Sequence, residues 1–306
     1  MPTLSSVVRF HAVLLLMSIA AAPVRAADPV LPRADGPERP AHGRMRLRRC
    51  AAWCSAMAVG LLAVSNAHAD DVRVAVAANF TAPLETLAEV FAAQTPHRLK
   101  ISSGASGGLY TAIKQGAPYD LLLSADQVRP QRLVAEGDAE PASLCTYAVG
   151  RLTLWSADAG RIPEKDPASA LRQPGLRYVA LANPDVAPYG AAAREVLQKL
   201  GLWEALAGKR VQGMDIGQAF QMVATGNAEL GFVAASALVD GKRGGSRWDV
   251  PPDRYAPLAQ DAVLLKRAQD KAAARSFLEF LGGAAARALI ERHGYARAVS
   301  GACGGT

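Results

Sequence analysis

The sequence predicts an α/β protein in two halves, each a mostly parallel sheet flanked by helices. Short β-type runs alternate with helically spaced apolar segments from Val72 onward, the order that builds a parallel sheet covered on both faces. The alternation pauses near residue 145 and then starts again, and a last strand and two helices close the chain. Two halves of this kind leave a cleft between them, where a ligand can be held.

In the first half, residues 72–77 (VRVAVA) read as a strand. Residues 83–94 carry Leu84, Leu87, Ala88 and Phe91 at helical spacing. Residues 98–102 read as a second strand, 109–115 as a helix ended by Gly116, and 120–124 (DLLLS) as a buried strand. In the second half, residues 147–155 and 178–182 read as strands, 191–200 as a helix stopped by Gly201, 217–225 as a helix and 230–234 as a strand. After Pro251 and Pro252 the chain returns through a strand at 262–265 and helices at 271–281 and 284–293. Strands crossing between the halves are expected near 145–150 and 255–263. The first lobe then comprises 70–148 and 256–299, the second 149–255, and 300–306 form a flexible tail with no core-forming content.

The start of the chain has a different character. Arg44, Arg46, Arg48 and Arg49 form a positive block, residues 51–64 are apolar and small, and Ala67-His68-Ala69 has the A-x-A form of a signal-peptidase site. The apolar run is shorter than the ~20 residues a membrane-spanning helix requires. Residues 45–69 are therefore read as a signal peptide cleaved near Ala69, and the expected location is the periplasm. A weaker secretory pattern lies upstream, with apolar residues 13–22 ending at Val24-Arg25-Ala26, followed by a Pro/Arg-rich stretch. Two export signals in tandem make little physical sense. Translation is expected to begin at Met45, with 1–44 a non-native extension or an extra leader.

The formal net charge of +7 belongs mostly to this leader, which holds eight of the 34 Lys and Arg residues and three of the 27 Asp and Glu residues. What remains is nearly balanced, with no basic stripe interleaved with aromatics, so nucleic acid is not an expected partner. Cys50 and Cys54 leave with the leader. Cys145 and Cys303 remain, and export permits a disulfide between them, although two unpaired thiols fit the sequence equally well. No C-x-x-C or His/Cys cluster points to a metal cation, and no cofactor is expected.

The residues that carry chemistry lie in loops between strands and helices. They are Ala78-Asn79-Phe80-Thr81, the run from Ser102 to Gly108 (SSGASGG), Val186-Ala187-Pro188-Tyr189-Gly190 and Asp215-Ile216-Gly217-Gln218. A helix start leaves backbone N–H groups unpaired and carries partial positive charge, so several aimed at one point make an anion site without Lys or Arg. Hydroxyl and amide side chains add donors, and glycines let backbone come close. Taken singly, each loop is an ordinary connection whose Ser, Thr or Asn caps a helix. Trp155, Trp203 and Trp248 show no stacking pattern and are read as packing residues.

One rival is an enzyme. Gly104-Ala105-Ser106-Gly107-Gly108 is a literal G-x-S-x-G between a strand and a helix, which would make Ser106 a hydrolase nucleophile. Beyond the leader only His97 and His293 could serve as its base, and no His-Gly-Gly motif offers an oxyanion hole.

The segments VAVAANFTAPLETLAEVF, ISSGASGGLYTAIKQGAPYDLLLSAD, TYAVGRLTLWS, NPDVAPYGAAAREVLQKLG, IGQAFQMVATGNAELGFVA and RHGYA together resemble the periplasmic molybdate-binding proteins that feed ABC importers. The resemblance runs through most of residues 71–298. It implies a type II periplasmic-binding fold with two lobes, a hinge, and an oxyanion held without a metal or counter-cation. It also implies a binding role rather than catalysis, with molybdate or tungstate as ligand, a membrane ABC permease as partner, and a monomeric state. Sulfate or phosphate is the alternative ligand. Ferric iron would need clustered Tyr, His and carboxylate groups that the loops lack.

The same resemblance implies the contacts. Asn79 and Ala78 lie at the anion, Ala78 through its backbone N–H alone, because relatives often carry Ser or Thr there. Ser106 supplies a hydroxyl and a backbone donor, Tyr189 its phenolic O–H, and Ile216 its backbone N–H. Some members use a tyrosine in the strand that reads GFVA here. This chain has Ala234 at that position, and Tyr189 is expected to take over its role.

Overall fold

Strand β1 (Asp71–Ala77) buries Val72, Val74 and Val76 beneath helix α1 (Thr81–Gln94), whose Leu84, Leu87 and Phe91 recur at the helical period. The computed structural model describes residues 69–239, 241, 243–298 and 301–303. The first half continues with β2 (Arg98–Gly104), α2 (Ser106–Lys114), β3 (Leu121–Leu123), α3 (Val128–Ala135) and β4 (Cys145–Gly150). The second contains β5 (Leu152–Ser156), β6 (Val179–Ala182), α4 (Pro188–Lys199), β7 (Arg210–Gly213), α5 (Ile216–Ala224), β8 (Leu230–Ala234) and β9 (Ser246–Asp249). The chain then returns through β10 (Leu258–Leu264), α6 (Ala272–Leu281) and α7 (Ala284–Arg292).

Two five-stranded sheets result, ordered β2-β1-β3-β10-β4 and β7-β6-β8-β5-β9. Each has a parallel part, β1 with β2 and β3 or β6 with β7 and β8. Each also has an antiparallel part, β10 with β3 and β4 or β5 with β8 and β9. The sheets are thus mixed rather than mostly parallel. The strands next to the passage between the halves, β4, β5 and β10, take part in all the antiparallel pairings.

The first sheet is covered on both faces. Phe80, α1 and Phe277 of α6 pack on one side, and Leu109 and Leu133 on the other. The second sheet packs Leu154, Phe232 and Val233 against Ala193 and Val196 of α4 and Val223 of α5. Each such fully buried Leu, Val or Phe side chain contributes about 1.5–3 kcal/mol. Ala77 and Ala125 of the first half join the core of the second, so the halves meet where β1 and β3 end. Trp155 stacks on Phe220 at 5.2 Å, and the Arg210 guanidinium lies 3.4 Å over the Trp203 ring.

Three expectations are corrected. Residues 147–155 do not form one strand: β4 stays with the first sheet as far as Gly150, and β5 begins the second at Leu152. Both pieces are apolar and β-prone, so the break at Arg151 left no mark in the pattern. Helix α3 and strands β7 and β9 are additional elements: β7 and β9 are short and largely polar, and α3 is two turns long with Pro130 in its first turn, so none carries a clear period. The tail is not loose at residues 301–303. Cys303 is buried and forms a disulfide with Cys145. Thr146 N–H donates to Gly301 O at 2.8 Å and Cys303 N–H to Thr146 O at 3.2 Å, so these residues dock along β4. The extension at 1–44 and the signal-peptide residues up to His68 lie outside the described residues, as do 299–300 and 304–306. Among the described residues no helix is long and apolar enough to cross a membrane.

Candidate functional site

Four strand-to-helix turns come together. A 3₁₀ turn at Ala78–Phe80 follows β1, and α2, α4 and α5 begin at Ser106, Pro188 and Ile216. The residues preceding the first three are Ala77, Ala105 and Ala187, which make no side-chain cap. Replacing a good cap by Ala ordinarily costs about 0.5–2 kcal/mol, because a side-chain oxygen would otherwise accept from the first N–H groups. The polar residues of these loops therefore do not serve as N-caps for those three turns. Only α5 has a side-chain cap among the four: Asp215 Oδ1 accepts from Gln218 N–H at 3.0 Å.

Between the turns lies a small cavity of about 10 Å³. Ala78, Asn79, Ser106, Tyr189 and Ile216, the five residues singled out in the sequence, all line it. The remaining lining is Ala77, Gly104, Ala105, Ala125, Ala187, Pro188 and Asp215, so Asp215 brings the one formal charge. The backbone of the starts of α2, α5 and the 3₁₀ turn, two hydroxyls, the Asn79 amide and the Asp215 carboxylate are the polar groups of a wall that is apolar elsewhere.

Each hydroxyl has its lone pair engaged and its hydrogen to spare. Ser106 is 1% exposed, and its Oγ accepts from Ala125 N–H at 2.9 Å. Tyr189 is equally buried, and its oxygen accepts from Gln260 Nε2 at 3.2 Å. A hydroxyl has one hydrogen and two lone pairs, so an oxygen already accepting can still donate. Burial pushes the Tyr189 phenol well above its ordinary pKa, which keeps that hydrogen in place.

Asn79 is held differently. Its Nδ2 donates to Gln260 Oε1 at 2.9 Å and lies 3.0 Å from the Tyr295 hydroxyl, which in turn donates to Asn79 O at 2.6 Å. Both amide hydrogens are engaged within the protein, while Oδ1 is buried without a partner. What Asn79 presents freely at the start of its turn is its backbone N–H. Ser236 of the second half reaches the same cluster, 3.1 Å from the Tyr295 hydroxyl. Gly107 N–H donates to Val186 O at 2.9 Å, another bond from one half to the other.

Sequence reasoning missed Gln260, Tyr147 and Tyr295, the residues behind the lining. Gln260 is fully buried in β10. The signal was present: a Gln-Asp pair in an apolar return strand (LAQDAVL) has no reason to be buried unless both are satisfied. Asp261 does have partners, Thr146 at 2.7 Å and Gln127 at 3.1 Å. Asp120, also buried, pairs with Lys271 at 2.7 Å and with Arg73 N–H at 2.8 Å.

The arrangement is not that of a hydrolase. Neither His97 nor His293 lines the cavity. His97 Nδ1 accepts from Asp70 N–H at 3.3 Å, and Ser106 Oγ faces an N–H donor instead of a base. Among the described residues no group of three or more His, Cys, Asp or Glu is placed to hold a metal ion.

Known proteins share this fold and sequence. Residues 72–296 match the family described as bacterial extracellular solute-binding protein. The molybdate-binding protein ModA of Rhodobacter capsulatus is 48% identical over 247 residues, 81% of this chain and 96% of its own length. ModA of Azotobacter vinelandii is 48% identical over 242 residues, 78% of this chain and 95% of its own. The solved periplasmic molybdate-binding protein of Azotobacter vinelandii superimposes with a TM-score of 0.71 at 41% identity, covering 74% of this chain and 99% of that one. The family is one of solute capture for transport, not catalysis, and its members work outside the cytoplasmic membrane. With its mixed sheets, its uncapped helix starts and its matched length, the chain belongs to the bacterial extracellular solute-binding proteins, alongside the molybdate-binding ModA proteins.

Proposed function

We propose that the protein captures molybdate, or its near twin tungstate, in the cavity between its halves and delivers it to a membrane ABC permease. The observation that carries this reading is the meeting of uncapped helix starts around one cavity that contains no Lys, Arg or His. Fixed N–H and O–H groups favour a small dianion, and the fold has already met the cost of orienting them. In this reading Ala78, Asn79 and Ile216 donate backbone N–H groups, Ser106 its Oγ–H and N–H, and Tyr189 its phenolic O–H. Four to six hydrogen bonds to a charged ligand, at about 1.5–3 kcal/mol each, support tight binding after ordering costs.

Discrimination against sulfate then rests on size, since both anions are doubly charged tetrahedra at neutral pH. A mismatch of one small group is worth only about 1–3 kcal/mol in a pocket, so the walls must be rigid. Ala77, Ala105, Ala125 and Ala187 supply such walls, having no side-chain rotamers to adjust. The ModA relatives at 48% identity support the ligand assignment. We assign the two lobes to residues 70–150 with 256–298 and to 151–255, moving the expected boundary to the end of β4, and propose export by the signal at 45–69, action in the periplasm, and a monomeric state.

The test is a calorimetric titration of the purified protein with molybdate, tungstate, sulfate and phosphate. Tight, near-stoichiometric binding of the first two and weak or no heat with the others is expected. Preference for sulfate or phosphate would reassign the ligand within the same site chemistry, and silence with all four would refute oxyanion capture.

A further inference from the structure

Gln260 lies in β10, the strand by which the chain returns from the second half to the first sheet. Its pairing with β4 shifts register between Gln260 and Asp261, and bulges of this kind re-aim side chains beside functional sites. The side chain is fully buried. Its Oε1 lies 2.9 Å from Asn79 Nδ2 and 3.0 Å from the Tyr147 hydroxyl, and its Nε2 lies 3.2 Å from the Tyr189 hydroxyl. Asn79 belongs to the turn after β1 in the first half, and Tyr189 to the first turn of α4 in the second. One amide thus touches a cavity residue from each half.

The chemistry of a primary amide suits this place. It accepts at one end and donates at the other without charge. At Tyr189 the Gln260 N–H occupies a phenol lone pair, so the phenol's own hydrogen has no return path to Gln260 and is free for the cavity. At Asn79, Gln260 Oε1 takes one amide hydrogen and the Tyr295 hydroxyl takes the other. That fixes the plane of Asn79 and with it the turn whose N–H groups begin at Ala78. An apolar side chain of equal size would fill the space and do neither.

We propose that Gln260 is a positioning residue for the oxyanion site, a single buried amide that aims the Tyr189 hydroxyl from one half and holds Asn79 from the other. This rests on the oxyanion reading above and adds to it a reason why the donors of both halves are set together. Gln260 acts through Tyr189 and Asn79 and does not itself line the cavity. The titratable groups facing it are Tyr147 of β4, Tyr189 of α4 and Tyr295 after α7. Asp261 beside it is turned to Thr146 and Gln127, and Asp126 to Ser124 and Arg129.

The experiment compares the wild type with Gln260→Met and Gln260→Glu, titrating each with molybdate and with sulfate between about pH 6 and pH 9 and recording thermal unfolding. The Met variant is expected to bind molybdate about tenfold more weakly or worse while still unfolding cooperatively. In the Glu variant the ionised carboxylate accepts the Tyr189 hydrogen and sets a negative charge near the ligand, whereas the protonated carboxyl still donates to Tyr189. Burial raises the pKa of the introduced carboxyl, and as it ionises with rising pH affinity falls, to at least tenfold below the wild type at the alkaline end, while the wild type stays flat. A folded Met variant with wild-type affinity, or a folded Glu variant whose profile parallels the wild type, overturns the proposal; if the Glu variant does not fold, the Met variant decides. Wild-type protein that binds neither anion overturns the oxyanion reading itself and this inference with it, an outcome distinct from normal binding with indifferent variants.

Discussion

Gly150 and Tyr189 are fitted to each other: a Cβ on Gly150 would overlap the Tyr189 hydroxyl oxygen and stand 2.6 Å from Gln260 Nε2. Gly150 ends β4, the strand that leads into the second half, so the phenol reaches the cavity only over a bare backbone. Gly150→Ala should displace the hydroxyl, weaken molybdate binding by tenfold or more, and destabilise the fold by about 1–3 kcal/mol through overpacking. In a Tyr189→Phe background, where the most severe overlap is gone and only the Gln260 Nε2 and ring contacts remain, the same Ala should cost less. A double-mutant cycle measured by calorimetry and thermal unfolding checks this, and strict additivity would contradict the relationship.

Ser106→Ala removes a donor from the cavity and the acceptor of Ala125 N–H. Affinity for molybdate should fall by about tenfold or more, since a hydrogen bond to a charged group is worth about 1.5–3 kcal/mol. Titration of the folded variant decides, and unchanged affinity would remove Ser106 from the site.

Binding should depend little on pH. No Lys, Arg or His lines the cavity, and burial raises the Tyr189 phenol well above its ordinary range. A phenol whose pKa is raised keeps its hydrogen to higher pH than a free one, so the donor form persists throughout the neutral and mildly basic range. Dissociation constants measured between about pH 6 and pH 9 should agree within about threefold. A steep loss over that window would contradict this expectation.

The Cys145–Cys303 disulfide ties the end of the chain to the first residue of β4. Cys145→Ser should lower stability by about 2–4 kcal/mol, and reductant should shift the unfolding of the wild type toward that of the variant. Tyr295 lies between α7 and this anchor and bonds to Asn79, so affinity should fall as well, though by less than with Gln260→Met. Thermal unfolding with and without reductant provides the readout.

How much of this was legible in the sequence depends on distance along the chain. Ser106, Tyr189 and Ile216 stand at helix starts that strand-loop-helix patterns mark locally, and with Ala78 and Asn79 they line one cavity. The passage from β4 to β5 was invisible, because both strands are apolar and only Arg151 separates them. Gln260 lies 181 residues beyond Asn79, and nothing short of the fold pairs them. Cys145 and Cys303, 158 residues apart, pose the same problem. The tail was read as loose because a run of Gly, Ala and Cys carries no core, and its anchor comes from β4. That Ala77, Ala105 and Ala187 precede the helix starts was readable, but its meaning emerged once those starts shared a cavity.

The central claim is that neutral donors from both halves hold one oxyanion in the cavity between Ser106 and Tyr189. Anomalous X-ray diffraction at the molybdenum edge, from crystals grown with molybdate, tests it most directly. A single dominant peak is predicted within hydrogen-bonding reach of Ser106 Oγ, the Tyr189 hydroxyl and the N–H groups of Ala78, Asn79 and Ile216. A molybdenum peak seated instead against surface arginines, with that cavity empty, would contradict the account.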